Sequence, residues 1–271
     1  MYYRQYLQRG FTLVETVMTI VILGIIGTTI AIFMRHPVEA YTAIGRRAAL
    51  ADAADTTVRR IARDLRAALP NSIRQTNDQC IEFIPTRVSA RYRAIDKVAT
   101  DGSKLDFTSA DTTFNMLGDN TALNARQQIQ VNDIVAVYNL GITGTDAYGG
   151  TNTSVITAIG AVSGGETPIT INSKLFPEES GNKRFHVIPS DDTVASYMCS
   201  GGNLYRNANY ALATSCPTPS AGTPLIAKGV TCGFSYTTVS KRNALVQLNL
   251  TFTDTGESVN IYHEVHTNNT P

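Results

Sequence analysis

The chain has 271 residues, with 23 Lys+Arg against 22 Asp+Glu, a formal net charge of +1, 17% charged residues and no tryptophan. So even a balance offers no electrostatic footprint for nucleic acid, which is excluded as an expected partner, and the length leaves room for one long helix and one globular head. Arg4 and Arg9 precede Gly10-Phe11-Thr12-Leu13-Val14-Glu15, and the nineteen residues from Thr16 to Met34 carry no charge. At ~1.5 Å per residue this run nearly crosses a hydrocarbon core of ~30 Å, which predicts a transmembrane helix. Glu15 is the anomaly at its start. An ionised side chain costs about 2.5–3.5 kcal/mol near the centre of such a helix and less near an end, so it calls for a partner. An ordinary secretory signal has a shorter apolar core without a carboxylate, and a plain membrane anchor leaves Glu15 and the Arg9-Gly10 junction without a reason. Charge does not orient the segment, because Arg35, Arg46 and Arg47 follow it as closely as Arg4 and Arg9 precede it.

Gly24, Gly27, Thr28 and Thr29 lower helix propensity in mid-segment and let neighbouring helices approach closely. Pro37 is expected to end or kink the helix. Beyond it, Val38 to Leu69 reads as an amphipathic helix with Ala54, Val58, Ile61, Leu65 and Leu69 in one apolar stripe. Asp55 with Arg59, and Arg60 with Asp64, stand at i,i+4 spacing on the solvated faces. Pro70 and Asn71 stop the helix. The head then reads as strands and turns: Cys80–Ile84, Ile129–Leu140, Ser154–Val162, Lys183–Ile188, a hairpin from Ala195–Cys199 through Ser200-Gly201-Gly202-Asn203 to Leu204–Arg206, and a strictly alternating strand carrying Val246, Leu248, Leu250 and Phe252 that turns at Asp254-Thr255-Gly256 into Val259, Ile261 and His263. The stretches Thr100–Asn124 and Gly141–Thr153 read as loops. The expected fold class is α+β, a long N-terminal helix (transmembrane half plus amphipathic half) packed on an antiparallel β-sheet head. The segments are 1–10, a leader; 11–36, the transmembrane helix; 37–71, the amphipathic helix; and 72–271, the β-rich head.

Cys80, Cys199, Cys216 and Cys232 all follow the membrane segment, as expected of a head that folds in an oxidising compartment. Cys199 with Cys216 and Cys80 with Cys232 is the favoured pairing, although the spacing offers little against the other two. No Cys-x-x-Cys occurs and the histidines are not spaced with the cysteines, so no metal is expected. Ser180 and Lys183 match a Ser-x-x-Lys spacing, but the residues after them read as a strand, which makes the match a turn rather than a nucleophile. His263 and His266 fall on opposite faces of a strand. Glu178-Glu179 and Asp191-Asp192 lie in turn-rich loops, where solvated acids are a better account than a calcium site. Tyr148, Tyr205 and Tyr210 near Asn- and Gly-rich loops are the candidates for stacking on a glycan. No catalytic residue and no cofactor is expected.

The basic leader ending in Gly10, then Phe11-Thr12-Leu13-Val14-Glu15 opening an apolar helix, resembles the N-terminal signal of type IV pilins and type II secretion pseudopilins. The resemblance implies cleavage by a prepilin peptidase between Gly10 and Phe11, N-methylation of Phe11, and pairing of Glu15 with the terminal amine of a neighbouring subunit during assembly. Such a chain spans the inner membrane once before joining an extracellular pilus, and its partners are the membrane, an inner-membrane assembly platform and the major and minor pilins. Arg35-His36-Pro37-Val38-Glu39-Ala40-Tyr41, Arg63-Asp64-Leu65-Arg66, Cys80-Ile81-Glu82-Phe83-Ile84-Pro85 and Tyr197-Met198-Cys199-Ser200-Gly201-Gly202-Asn203-Leu204-Tyr205-Arg206 are similar to minor pilins of the mannose-sensitive haemagglutinin (MSHA) pilus, which implies a subunit that primes assembly or sits near the tip, with adhesion as an attached expectation. The alternatives are a J-type pseudopilin of type II secretion and, in another class, a membrane-anchored extracytoplasmic binding module. Residues from about Ala90 to Pro189 carry little resemblance.

Overall fold

The computed structural model describes residues 10–99, 101–210, 216–240 and 243–271. Clustering of contacts divides the chain into residues 1–49 and 50–271. One helix, α1 (Leu13–Arg66), supplies the described secondary structure of the first unit and the opening of the second. It runs through Pro37, which neither ends nor interrupts it. A proline removes one backbone donor and crowds the carbonyl four residues back. Here that carbonyl belongs to Phe33, whose surroundings are open, so one missing bond in a long ladder is tolerated.

In the second unit Ala54, Val58, Ile61 and Leu65 of α1, together with Leu69 just beyond its end, are all buried. Except for Leu69, they join one core with the sheets below. After the helix come β1 (Arg74–Asn77) and β2 (Cys80–Phe83). The chain then leaves this layer for a hundred residues and builds a closed, all-antiparallel barrel from β3 (Val88–Tyr92), β4 (Asp111–Leu117), β5 (Ile134–Ala136), β6 (Thr153–Ile159), β7 (Glu166–Lys174) and β8 (Arg184–Ile188), in the order β3-β4-β7-β6-β5-β8. It returns with β9 (Ala195–Ser200), which pairs with β2, followed by β10 (Asn203–Ala208) and β11 (Leu225–Lys228). These complete a five-stranded sheet, β1-β2-β9-β10-β11. β12 (Val230–Ser240), β13 (Asn243–Asp254) and β14 (Glu257–Asn268) form a separate three-stranded sheet. Ile81, Phe83, Tyr197 and Leu204 from the first sheet and Phe234, Val246, Leu248, Leu250 and Phe252 from the second pack with the helix stripe.

The barrel has its own interior of Phe114, Met116, Val135, Ile156, Ile169, Phe185 and Val187, with Phe114 and Phe185 edge to face at 5.2 Å. Period-two alternation supplies it, since Phe114 and Met116 point inward while Thr113 and Asn115 between them do not. The head is therefore a sheet body with an inserted barrel, where the sequence pattern indicates one β-rich head. Thr100–Asn124, expected to be a loop, contains β4. The polar residues that make it look like a loop are the outward half of a half-buried strand. Ile129–Leu140, expected to be one strand, keeps only Ile134–Ala136. Asn132 and Tyr138 have positive φ of 75° and 52°, and the Asp133 carboxylate accepts from the Gln130 N–H, so turns bracket the strand on both sides. Gly141–Thr153 has no strand before Thr153 and is held by its own side chains, with Asn139 Oδ1 accepting from Ala147 N–H and Asp146 Oδ1 from Tyr148 N–H.

Hairpin turns follow their residues. Gly201 and Gly202, with φ of 57° and 74°, join β9 to β10, and Thr255 and Gly256, at 44° and 84°, join β13 to β14. Gly229 links β11 to β12 at φ 64°, and a Cβ there would lie 2.2 Å from the Thr253 carbonyl oxygen.

Candidate assembly site

Gly10, Phe11 and Thr12 precede α1 in non-helical backbone; residues 1–9 of the expected leader lie outside the described residues. Thr12 caps the helix, its Oγ1 accepting from the Glu15 N–H at 3.3 Å, so Thr12 and Glu15 stand in the Thr-x-x-Glu spacing of a helix start. The positive end of the helix dipole lies in this turn and favours an acid there. Among the described residues the Glu15 carboxylate itself has no partner. Phe11 stands 83% exposed beside it.

The helix surface that follows is prepared for an apolar medium. Every residue from Leu13 to Met34 is exposed, including Val17, Ile20, Ile22, Leu23, Ile25, Ile30 and Phe33. The hydroxyls that interrupt this surface turn back on their own backbone: Thr19 Oγ1 donates to the Glu15 carbonyl at 3.0 Å, Thr28 to Gly24 at 2.9 Å and Thr29 to Ile25 at 2.8 Å. A polar group satisfied within its own helix costs little in lipid or in a helix bundle. A Cβ at Gly24 or Gly27 would meet nothing within 4 Å, so nothing in this chain's own packing requires glycine at either position. The segment is long and apolar enough to cross a membrane.

In the second unit the helix is seated by polar contacts at its edge. Asp55 pairs with Arg59 at 2.6 Å, as the spacing predicts. Asp64, expected to pair with Arg60 on a solvated face, instead accepts from the Tyr197 hydroxyl at 2.8 Å and from Arg206 Nε at 3.3 Å. Arg206 also holds Asp192 at 2.6 Å. Burial, reinforced by the Asp64 charge, pushes the Tyr197 phenol well above its ordinary pKa, so the hydroxyl stays a donor.

The cysteines pair as Cys80–Cys216 and Cys199–Cys232, with Cα separations of 6.4 and 5.8 Å, not as Cys199–Cys216 and Cys80–Cys232. Strand alternation explains this. Cys80 pairs across strands with Met198, which sends Cys80 and Cys199 to opposite faces of the sheet. Cys199 packs in the helix-side core beside Cys232 of the second sheet, and Cys80 meets the segment after β10 on the other face.

The candidate glycan-stacking tyrosines make polar contacts within the fold. Tyr148 lies under the Arg74 guanidinium at 3.8 Å and donates to the Ser72 carbonyl at 2.8 Å. Tyr210 donates to Glu82 Oε2 at 2.5 Å, and the Tyr205 hydroxyl contacts the Asn203 amide at 3.4 Å. Ser180 is a buried turn residue whose carbonyl accepts from the Lys183 N–H at 2.9 Å, and Lys183 pairs with Glu179. Asp191 lies 3.4 Å from Arg87. His263 faces inward on β14 and His266 outward.

Four polar groups carry no local signature or only a faint one. Glu82, 1% exposed, pairs with Arg74 on the sheet face away from the helix; its place in Cys-Ile-Glu-Phe-Ile is the one signal, an acid inside a buried strand. Asp133 and Arg87 pair at 2.9 Å where the chain enters and leaves the barrel. Glu166 gathers Arg93, Lys97 and Asn115, and the Arg93 guanidinium above all pulls its carboxyl down to about 2. Ser89 Oγ and His186 Nδ1 meet at 2.6 Å on β3 and β8, with the imidazole pushed down to about 4 by burial and then by Arg184. Desolvation that disfavours the charged imidazole suits a structural hydrogen bond better than a catalytic base working near neutrality.

Residues 6–31 match the family model for the prokaryotic N-terminal methylation motif. No curated protein and no solved structure matches the chain. The motif opens a helix long and apolar enough to cross a membrane, and antiparallel sheets follow it, an α+β layout of the pilin-like kind. The match covers the N-terminal segment; the barrel has no counterpart in the comparisons.

Proposed function

We propose that this chain is a minor pilin of an MSHA-like type IV pilus, similar to the MshO subunit, which primes or supports filament assembly. In this reading the precursor is held in the inner membrane by α1, a prepilin peptidase cuts after Gly10, and the new N-terminus, Phe11, is methylated. The Glu15 carboxylate then pairs with the terminal amine of an adjacent subunit. The observation that carries the reading is the methylation motif over residues 6–31 together with a Glu15 carboxylate that has no partner among the described residues, at the head of an apolar helical segment exposed from Leu13 to Met34. Each charge alone is costly in low dielectric and the two attract strongly there, so one axial stagger between neighbouring helices is favoured over all others. Helix packing around Gly24 and Gly27 supplies the remaining contact.

The test has two parts. Intact mass and N-terminal sequencing of the protein from cells are expected to give a chain beginning at N-methylated Phe11. Glu15→Ala is expected to leave membrane insertion normal and to abolish incorporation into fibres; retention of the first ten residues in a strain with active processing, or fibres formed normally by the variant, overturns the proposal. Co-purification with the major pilin rather than with secretion components separates this reading from a J-type pseudopilin, which would share the N-terminal chemistry.

A further inference from the structure

Open sheet edges are templates for another strand, and folded proteins blunt them with bulges, short lengths, Pro, Lys or a covering segment. In the sheet body three edges are managed in this way. β1 and β11 have four residues each, and their pairings are broken by register shifts. β12 is bonded along its outer side, with Phe234 N–H donating to the Asp78 carbonyl at 2.7 Å, Tyr236 N–H to Gln75 Oε1 at 3.0 Å and Val230 N–H to the Gly202 carbonyl at 2.8 Å. β14 differs. It is twelve residues long, pairs with β13 in unbroken register from Asn268 to Glu257, contains no Pro, Lys or Arg, and among the described residues has no strand on its other side.

Beside that edge runs a groove of about 620 Å³ between β14 and the helix residues Asp55–Arg66. Val58, Ala62 and Ile261 form its floor. Arg59, Arg63 and Arg66 line it at helical spacing and are exposed, against the single carboxylate of Asp55, which Arg59 already occupies at 2.6 Å. A strand added to β14 would alternate its side chains, and those on the inward side, continuous with Ile261 and His263, would enter the groove and meet the arginines.

We infer that the β14 edge and its arginine-lined groove form a docking site for an extended acidic segment of a partner subunit, bound by strand addition with its inward carboxylates on Arg59, Arg63 and Arg66. Backbone pairing supplies affinity and the alternating acids supply selection. That the segment comes from another subunit rests on the assembly reading; binding itself is measured on the purified chain without reference to Glu15, so failure of one is told apart from failure of the other.

The full chain in detergent micelles is titrated with a synthetic ten-residue peptide alternating glutamate with valine, with the lysine–valine peptide of the same alternation as control, and hydrogen exchange is followed along β14. The glutamate peptide is expected to bind and to slow exchange in β14 while the lysine peptide does not. The variant R59E/R63E/R66E is expected to lower affinity by at least about tenfold, with exchange in β9, β10 and β13 unchanged. If that variant disturbs β9 or β13, Arg63→Gln is used in its place, with an expected loss of about threefold. Equal binding of both peptides, no protection in β14, or unaltered affinity in the arginine variant overturns the inference. So does protection of β14 that rises with protein concentration in the absence of peptide, which identifies a second copy as the occupant.

Discussion

The sheet body and the inserted barrel are both antiparallel, both close a hydrophobic interior, and are stabilised differently. All four cysteines lie in the sheet body, joining its two sheets through Cys199–Cys232 and its outer face to the chain after β10 through Cys80–Cys216. The barrel has no cysteine and no open edge. It gathers the carboxylates held clearly below their ordinary range: Asp106, pulled to about 2 chiefly by Thr108; Asp101 and Asp119, lowered by hydrogen bonds from Ser103 and Thr121; and Glu166, held by Arg93. A sheet body with two unclosed sheets depends on crosslinks and on a helix laid across it. A closed barrel satisfies its own strands and depends on ionised side chains to fix its loops.

The difference can be broken from either side, with hydrogen exchange reporting each region separately. Leu65→Ala, which removes the centre of the helix stripe, is expected to cost the sheet body about 2–5 kcal/mol by denaturant unfolding, with barrel protection little changed. Loss of protection in β4 and β7 as great as in β9 and β13 would mean that the two regions unfold as one. Replacing Cys199 and Cys232 together by serine is expected to cost the sheet body about 2–4 kcal/mol, and the barrel less.

Acid acts in the other direction. Because the folded pKa of Glu166 lies below its ordinary 4.5, its stabilising contribution is complete above that value and is lost as pH falls from about 4.5 towards 2. Barrel stability is expected to drop by about 1–2 kcal/mol across that window, and Glu166→Gln to flatten the dependence in a urea titration at successive pH values. The smallest effect sharpens the seam between the regions. Tyr148→Phe removes the hydroxyl that reaches from the loop after β5 to the Ser72 carbonyl, and is expected to cost about 1 kcal/mol, read as faster exchange in the residues 141–152.

Sequence pattern was legible where local period and burial coincide. The stripe through Ala54, Val58, Ile61 and Leu65 is buried as its spacing requires, and the alternation of Val246, Leu248, Leu250 and Phe252 is the interior face of β13. The Gly201-Gly202 and Thr255-Gly256 turns follow from residues that tolerate positive φ. β4 and the shortened β5 were not legible, because a barrel strand exposes half its residues and its limits are drawn by neighbours remote in sequence. Helix spacing alone pairs Asp64 with Arg60. Tyr197 and Arg206, more than a hundred residues away, draw it to the sheet.

The candidate assembly site divides similarly. Gly10, Phe11, Glu15 and the apolar run are contiguous, so segment length and charge placement are enough to single them out. The docking groove joins α1 to β14 across some two hundred residues, and nothing in either segment announces the other.

The residues alone therefore determine what depends on local order: a membrane-length helix headed by an acid, an apolar stripe, hairpin turns and an oxidised, β-rich head. The tertiary structure decided which cysteines meet, that the hundred residues after β2 close into a barrel, and that β14 is left with an open edge beside three arginines. Those outcomes depend on which face a strand turns and on which strands become neighbours. A one-residue change of register or one altered pairing would reverse them while leaving every local pattern intact.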